Sequence, residues 1–163
     1  MKALIVFYSL EGNTKMIADK LEKEINADLL HIEPVNKYPT GKITKYLFAG
    51  KSAAMKDAPE LERYEIDLSL YDTLIFGTPV WAGTFAPPLR TFIQNNDLRG
   101  KRVAAFACTA SESAGKTFGD FENALSGQKL VATARFTDPL KGREKKLDQK
   151  ISDFDKILVT NSN

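Results

Sequence analysis

Three short stretches hold most of the residues whose types could do chemistry. Ser9-Leu10-Glu11-Gly12-Asn13-Thr14 sets hydroxyls, an amide and a glycine between an unbroken apolar run, Ile5 to Tyr8, and the helically spaced Met16, Ile17, Leu21 and Ile25. A polar loop that enters a helix N-terminus meets free backbone N–H groups and the positive end of the helix dipole. Such a corner binds anions, phosphate above all. Thr78-Pro79-Val80-Trp81-Ala82-Gly83 carries the single tryptophan of the chain among proline and small residues. A tryptophan presented on a loop offers a broad face to a flat ring system. Thr109-Ala110-Ser111-Glu112-Ser113-Ala114-Gly115 is a third loop, of hydroxyls and small side chains.

The elements that must position these loops follow from periodicity. Ile5 to Tyr8 suits a strand buried on both faces, and a helix is predicted from about Asn13 to Ile25. Asp28 to Glu33 reads as a second strand stopped by Pro34, with His31 inside it as a packed side chain rather than a ligand. Tyr38-Pro39-Thr40-Gly41 is a turn cluster leading to a helix in which Ile43, Leu47 and Ala54 share a face with Gly50. Asp72 to Gly77 is a buried strand, and the Thr78 to Pro88 stretch reads as irregular loop because of its prolines. A helix with Leu89, Phe92 and Ile93 follows, then a strand from Arg102 to Cys108 and a helix marked by Phe118, Phe121 and Leu125. A fifth strand from Leu130 to Phe136 precedes a last helix with Leu147, Ile151, Phe154 and Leu158 on one stripe. Alternating strands and helices imply a parallel sheet covered on both faces and joined by right-handed crossovers. Ligands then bind beyond the carboxyl ends of the strands, where strand order reverses, so the three loops should converge.

Composition narrows the function classes. The chain has 163 residues, 43% hydrophobic and 27% charged, which describes an ordinary globular protein, and no repeat or linker divides it. We read residues 1–163 as a single domain. A net charge of +2, with lysines interleaved among carboxylates, leaves no footprint for nucleic acid. Cys108 is the only cysteine and His31 the only histidine, which excludes an internal disulfide and a cysteine-built metal site and fits a reducing compartment. No apolar run approaches membrane-spanning length and no cleavage site follows the first strand, so a cytoplasmic protein without membrane insertion is expected.

Ile5 to Thr14, an apolar strand with an aromatic pair followed by a Ser-x-x-Gly-x-Thr loop, resembles the phosphate-binding signature of the flavodoxin family. Thr78 to Gly83 is similar to its second flavin-contacting loop, Cys108 to Gly115 stands in the place of the third, and the order of elements agrees over essentially the whole chain. The uninterrupted fifth strand resembles the short-chain subgroup. The resemblance implies a doubly wound, five-stranded parallel sheet of strand order 2-1-3-4-5 and bound FMN. On that basis Ser9, Leu10, Glu11, Gly12, Asn13 and Thr14 would receive the phosphate. Trp81 would lie on the ring, flanked by Thr78, Pro79 and Val80, and Ala82 or Gly83 would meet the ring edge. Thr109, Ala110, Ser111 and Gly115 would close the third side. The implied function is electron transfer with a redox protein partner, as a monomer or weak dimer. The alternatives are an NAD(P)H-linked reductase of quinones or similar small-molecule acceptors and a flavin-free binding module of the same fold.

Some residues depart from the family pattern. The Thr109 to Gly115 loop lacks the second aromatic residue that usually flanks the ring, which would leave one face open to solvent or a substrate. The calculated pI of 8.6 contrasts with the acidic electron carriers. Lys116 follows the third loop, and a cation about 8 Å from the ring at an effective dielectric near 20 would favour a reduced anion by on the order of 2 kcal/mol, roughly 90 mV for one electron. A less reducing flavin is therefore expected. Ala110-x-x-x-x-Gly115-Lys116-Thr117 nearly spells a nucleotide P-loop, but its first glycine is missing and Asp138 after Arg135 makes a poor magnesium partner. A receiver domain would want a carboxylate after the third strand, where Gly77-Thr78-Pro79 stands, and a cysteine phosphatase would want arginine where Ala114 stands. The run Lys141-Gly142-Arg143-Glu144-Lys145-Lys146 reads as the solvated start of the last helix.

Overall fold

The computed structural model describes residues 1–39 and 50–160. Strands β1 (Ala3–Phe7), β2 (Asp28–His31), β3 (Thr73–Trp81), β5 (Arg102–Thr109) and β6 (Thr133–Thr137) form a parallel sheet in the order β2-β1-β3-β5-β6, and β4 (Thr84–Phe85) pairs antiparallel with β3. Without the short β4, this is the expected five-stranded, doubly wound order.

Alternation along β1 builds two cores at once. Leu4, Val6 and Tyr8 join Phe76, Phe92 and Phe121 on one face, beneath α2 (Pro87–Asn95) and α3 (Thr117–Ala124). Ala3, Ile5 and Phe7 join Ile17, Leu21 and Phe154 on the other, beneath α1 (Asn13–Ile25) and α4 (Leu147–Thr160). Burial on both faces is why these strands read as continuous apolar runs. The prolines Pro87 and Pro88 open α2, where their missing N–H groups have no helical acceptor. His31 stacks on Phe7 with ring centroids 4.7 Å apart and bonds Glu33 through Nε2 at 3.0 Å, but its side chain is 36% exposed, so it lies on the surface of the edge strand instead of packed inside.

Several expected boundaries move. The Thr78 to Trp81 stretch is not irregular: β3 runs on through it, with Pro79 opposite Cys108 of β5, before a turn at Ala82-Gly83 leads to β4. A proline is tolerated there because the strand is ending and its missing donor interrupts little of the ladder. The Thr78 hydroxyl, fully buried, accepts from Ala86 N at 2.9 Å and so ties the hairpin together. β2 stops at His31 instead of Glu33, and β6 starts at Thr133 instead of Leu130. Of the helix expected around Ile43 and Leu47, those two residues lie outside the described ones, while residues 50–54 are helical. Pro139–Lys141 forms a 3-10 turn, so Lys141 to Lys146 precedes α4 instead of opening it.

β6 is an edge strand, and side chains occupy two of its outward backbone groups. The Glu144 carboxylate accepts from Thr137 N at 2.7 Å, and Lys150 Nζ donates to the Arg135 carbonyl at 3.3 Å. Glu144 and Lys150 pair with each other at 2.6 Å, with the Glu144 side chain only 5% exposed. Among the described residues no helix is long and apolar enough to cross a membrane.

Candidate functional site

The carboxyl ends of β1, β3, β5 and β6 converge on one cleft, holding about 590 Å³ of space open to solvent. Its first wall is the loop between β1 and α1. Ser9, Leu10, Glu11, Asn13 and Thr14 line it. Ser9 Oγ accepts from Gly12 N at 3.2 Å and from Lys15 N at 3.1 Å, which folds the loop over the helix start. No hydrogen bond engages the amides of Leu10, Asn13 or Thr14 among the described residues. Thr14 is 1% exposed, and its hydroxyl is buried without a nitrogen or oxygen partner. A buried hydroxyl with only the Cys108 sulfur beside it, next to open amides at a helix N-terminus, is an arrangement that can receive an anion.

Pro79, Val80 and Trp81 of β3 form the second wall. Trp81 stands edge-on to two tyrosines, 5.5 Å from the Tyr8 ring and 4.9 Å from the Tyr38 ring, and Tyr8 and Tyr38 meet at 6.1 Å. Burial raises the Tyr8 phenol well above its ordinary range, and the nearby Glu33 and Tyr38 act in the same direction. Burial likewise raises Tyr38, against the hydrogen bond with Ser52. Both rings are therefore neutral supports that hold the indole in place.

Thr109 and Ala110 make the third wall, beside Cys108. The rest of this loop satisfies itself. Thr109 Oγ1 accepts from Ser111 N at 3.1 Å, Ser111 Oγ donates to Ser113 O at 2.7 Å, and Ser113 Oγ accepts from Gly115 N at 3.0 Å. The Cys108 thiol is pushed up to about 12 by burial, with the Thr14 hydroxyl acting the other way and Glu144 adding to the rise. It is an inert neutral group in the wall.

Six of the expected residues lie off the cleft lining. Gly12 backs onto Leu140, Thr78 is used up inside the hairpin, and Ala82 and Gly83 form the hairpin turn with φ of 49° and 78°. Ser111 and Gly115 belong to the self-bonded part of the third loop. Gly115 and Lys116 clamp that loop to the hairpin, since Lys116 N donates to Gly83 O at 2.7 Å. The Lys116 side chain is exposed and does not line the cleft.

A sequence model of the flavodoxin family matches residues 2–143. The chain belongs to the flavodoxin family. Among solved structures it is similar to a flavoprotein from Lactobacillus acidophilus NCFM in complex with FMN, at 25% identity and a TM-score of 0.73, over 94% of this chain and 98% of that one. The apo-form of the flavoprotein from the same organism shares 28% identity over 88% of this chain and 97% of that one, with a TM-score of 0.65. Oxidised flavodoxin 2 from Bacillus cereus shares the fold at 21% identity and a TM-score of 0.60, over 99% of each chain.

This flavodoxin-family cleft has a fourth wall that the sequence reading did not anticipate. Asp138 and Lys141, from the turn after β6, line it next to the first loop, which that turn touches through Leu140. Asp138 sits at φ 38°, 5% exposed, and its N–H donates to Thr109 O at 2.9 Å. The signal that could have found them is topological, because the loop after the last strand also opens at the carboxyl edge of the sheet. Among the described residues no group of His, Cys, Asp or Glu could hold a metal ion.

Proposed function

We propose that the chain binds FMN in this cleft and serves as an electron-transfer protein of the cytoplasm. The observation that carries the reading is the buried Thr14 hydroxyl without a nitrogen or oxygen partner, set beside open amides at the start of α1 in the cleft that Trp81 also lines. An anion and a flat aromatic group in one small ligand meet both halves of that arrangement, as FMN does. When bound, FMN supplies one- or two-electron redox chemistry. The chain's own work is to fix and orient it. The Ser9 to Thr14 loop receives the phosphate through backbone N–H groups and hydroxyls. Several such bonds outweigh the helix dipole, which contributes about 0.3 to 1 kcal/mol. Pro79, Val80 and Trp81 offer the ring an apolar, aromatic wall held by Tyr8 and Tyr38.

An absorption spectrum of the purified chain tests this. Flavin bands near stoichiometric occupancy support the reading. A colourless protein that leaves the fluorescence of added FMN unquenched overturns it.

One observation favours a second reading, an NAD(P)H-linked reductase of quinones or similar acceptors. The third loop has no aromatic side chain between Thr109 and Gly115, and the Ser111 and Ser113 hydroxyls are spent on the loop itself. That side of the cleft is left without an aromatic cover, which suits the approach of a small acceptor. Steady turnover of NAD(P)H with a quinone, in the absence of any protein partner, would select the reductase; reduction that needs a redox protein would select the carrier.

A further inference from the structure

We propose that Lys141 is the cation of the phosphate end of the cleft, a role that rests on the FMN reading above. The turn that carries it is registered on the phosphate loop from two sides. Asn13 Oδ1 accepts from Leu140 N at 3.0 Å, and Leu140 Cδ1 lies 3.1 Å from where a Cβ on Gly12 would stand. Lys141 therefore lines the cleft with Ser9, Asn13 and Thr14, on a turn that these contacts hold against the loop.

The electrostatics of the cleft call for such a group. Asp138 and Glu11 also line it, so a phosphate dianion entering there meets carboxylates as well as amides. Asp138 does not require Lys141 as its counter-ion. Its Oδ2 receives Arg143 Nη1 at 3.1 Å, while Lys141 Nζ is farther, at 3.4 Å, on a side chain 64% exposed. Lys141 can turn from Asp138 to the anion and leave the buried carboxylate paired with Arg143. The ammonium would act as a point charge, and no fork geometry is needed.

The phosphate is what separates FMN from riboflavin, so the comparison of the two isolates the charge. The full chain freed of flavin is titrated with each, by quenching of flavin fluorescence, at low and high salt. Lys141→Gln is expected to weaken FMN about fivefold to tenfold at low salt and less at high salt, with riboflavin unchanged and Lys141→Arg restoring most of the loss. Equal FMN affinity in Lys141→Gln and the parent overturns the assignment, as does an equal loss of FMN and riboflavin, which marks a role in shape alone. A parent chain that binds neither ligand overturns the FMN reading itself, and the assignment falls with it.

Discussion

Gly115 lies against the backbone of Gly83: a Cβ built on Gly115 would stand 2.6 Å from the Gly83 carbonyl oxygen and 2.8 Å from its Cα. Both atoms are backbone, so neither can swing aside, and Gly115 is also at φ 59°. Gly115→Ala should destabilise the chain by about 2 kcal/mol through overpacking and left-handed strain. It should also weaken flavin binding, since the second and third loops part. Urea unfolding and an FMN titration on the same variant check both effects.

The turn between β3 and β4 has Ala82 at φ 49° and Gly83 at φ 78°. Two positive φ values at the tip of a two-residue hairpin favour Asn-Gly, whereas alanine carries a Cβ penalty in that region. Ala82→Asn should raise stability by about 0.5 to 1 kcal/mol. An unchanged urea midpoint would mean that the turn relaxes in solution.

Thr14 should trade stability against binding. Its hydroxyl is buried with only the Cys108 sulfur, a weak partner, beside it, and a poorly met buried group is destabilising. Thr14→Val removes the hydroxyl at nearly constant shape. The flavin-free protein should gain about 1 kcal/mol, and FMN affinity should fall about tenfold. Loss of stability together with unchanged affinity would show that the hydroxyl belongs to the core and not to the site.

Cys108 gives the chain an alkaline limit. Its thiol has an ordinary value of 9.0 and is pushed up to about 12 in the fold, so the native state holds this proton longer than the unfolded chain does. The stability tied to the thiol is fully present below about pH 9 and is lost as pH rises from there through about 12. Unfolding free energy should decline over that window in the parent and decline less in Cys108→Ala. At pH 8, a thiol reagent should label the native protein only as fast as it opens.

How far the sequence carried depended on where each residue's partners lie. The β1 to α1 corner was legible to its ends, Asn13 and Ile25, because apolar periodicity and a polar loop are local signals. The stripe of Ile151, Phe154 and Leu158 was read for the same reason. Thr78 to Trp81 was misread because Pro79 suggests a loop, while the contacts that extend β3 come from Cys108 and from β4. Tyr38 was taken as part of a turn, and its contact with Trp81 is tertiary. Lys141 looked like one more solvated charge in a basic run. The contacts of Leu140 with Asn13 and Gly12 bring its turn to the cleft.

The ion pair of Glu144 and Lys150 at the rim of β6 has a consequence for association. A seventh strand laid alongside would need the Thr137 N–H and the Arg135 carbonyl, and the pair already supplies an acceptor to the first and a donor to the second. Two side chains thus imitate the hydrogen bonds of a neighbouring strand without offering a further row of their own. This part of the edge is closed to strand addition at those two positions.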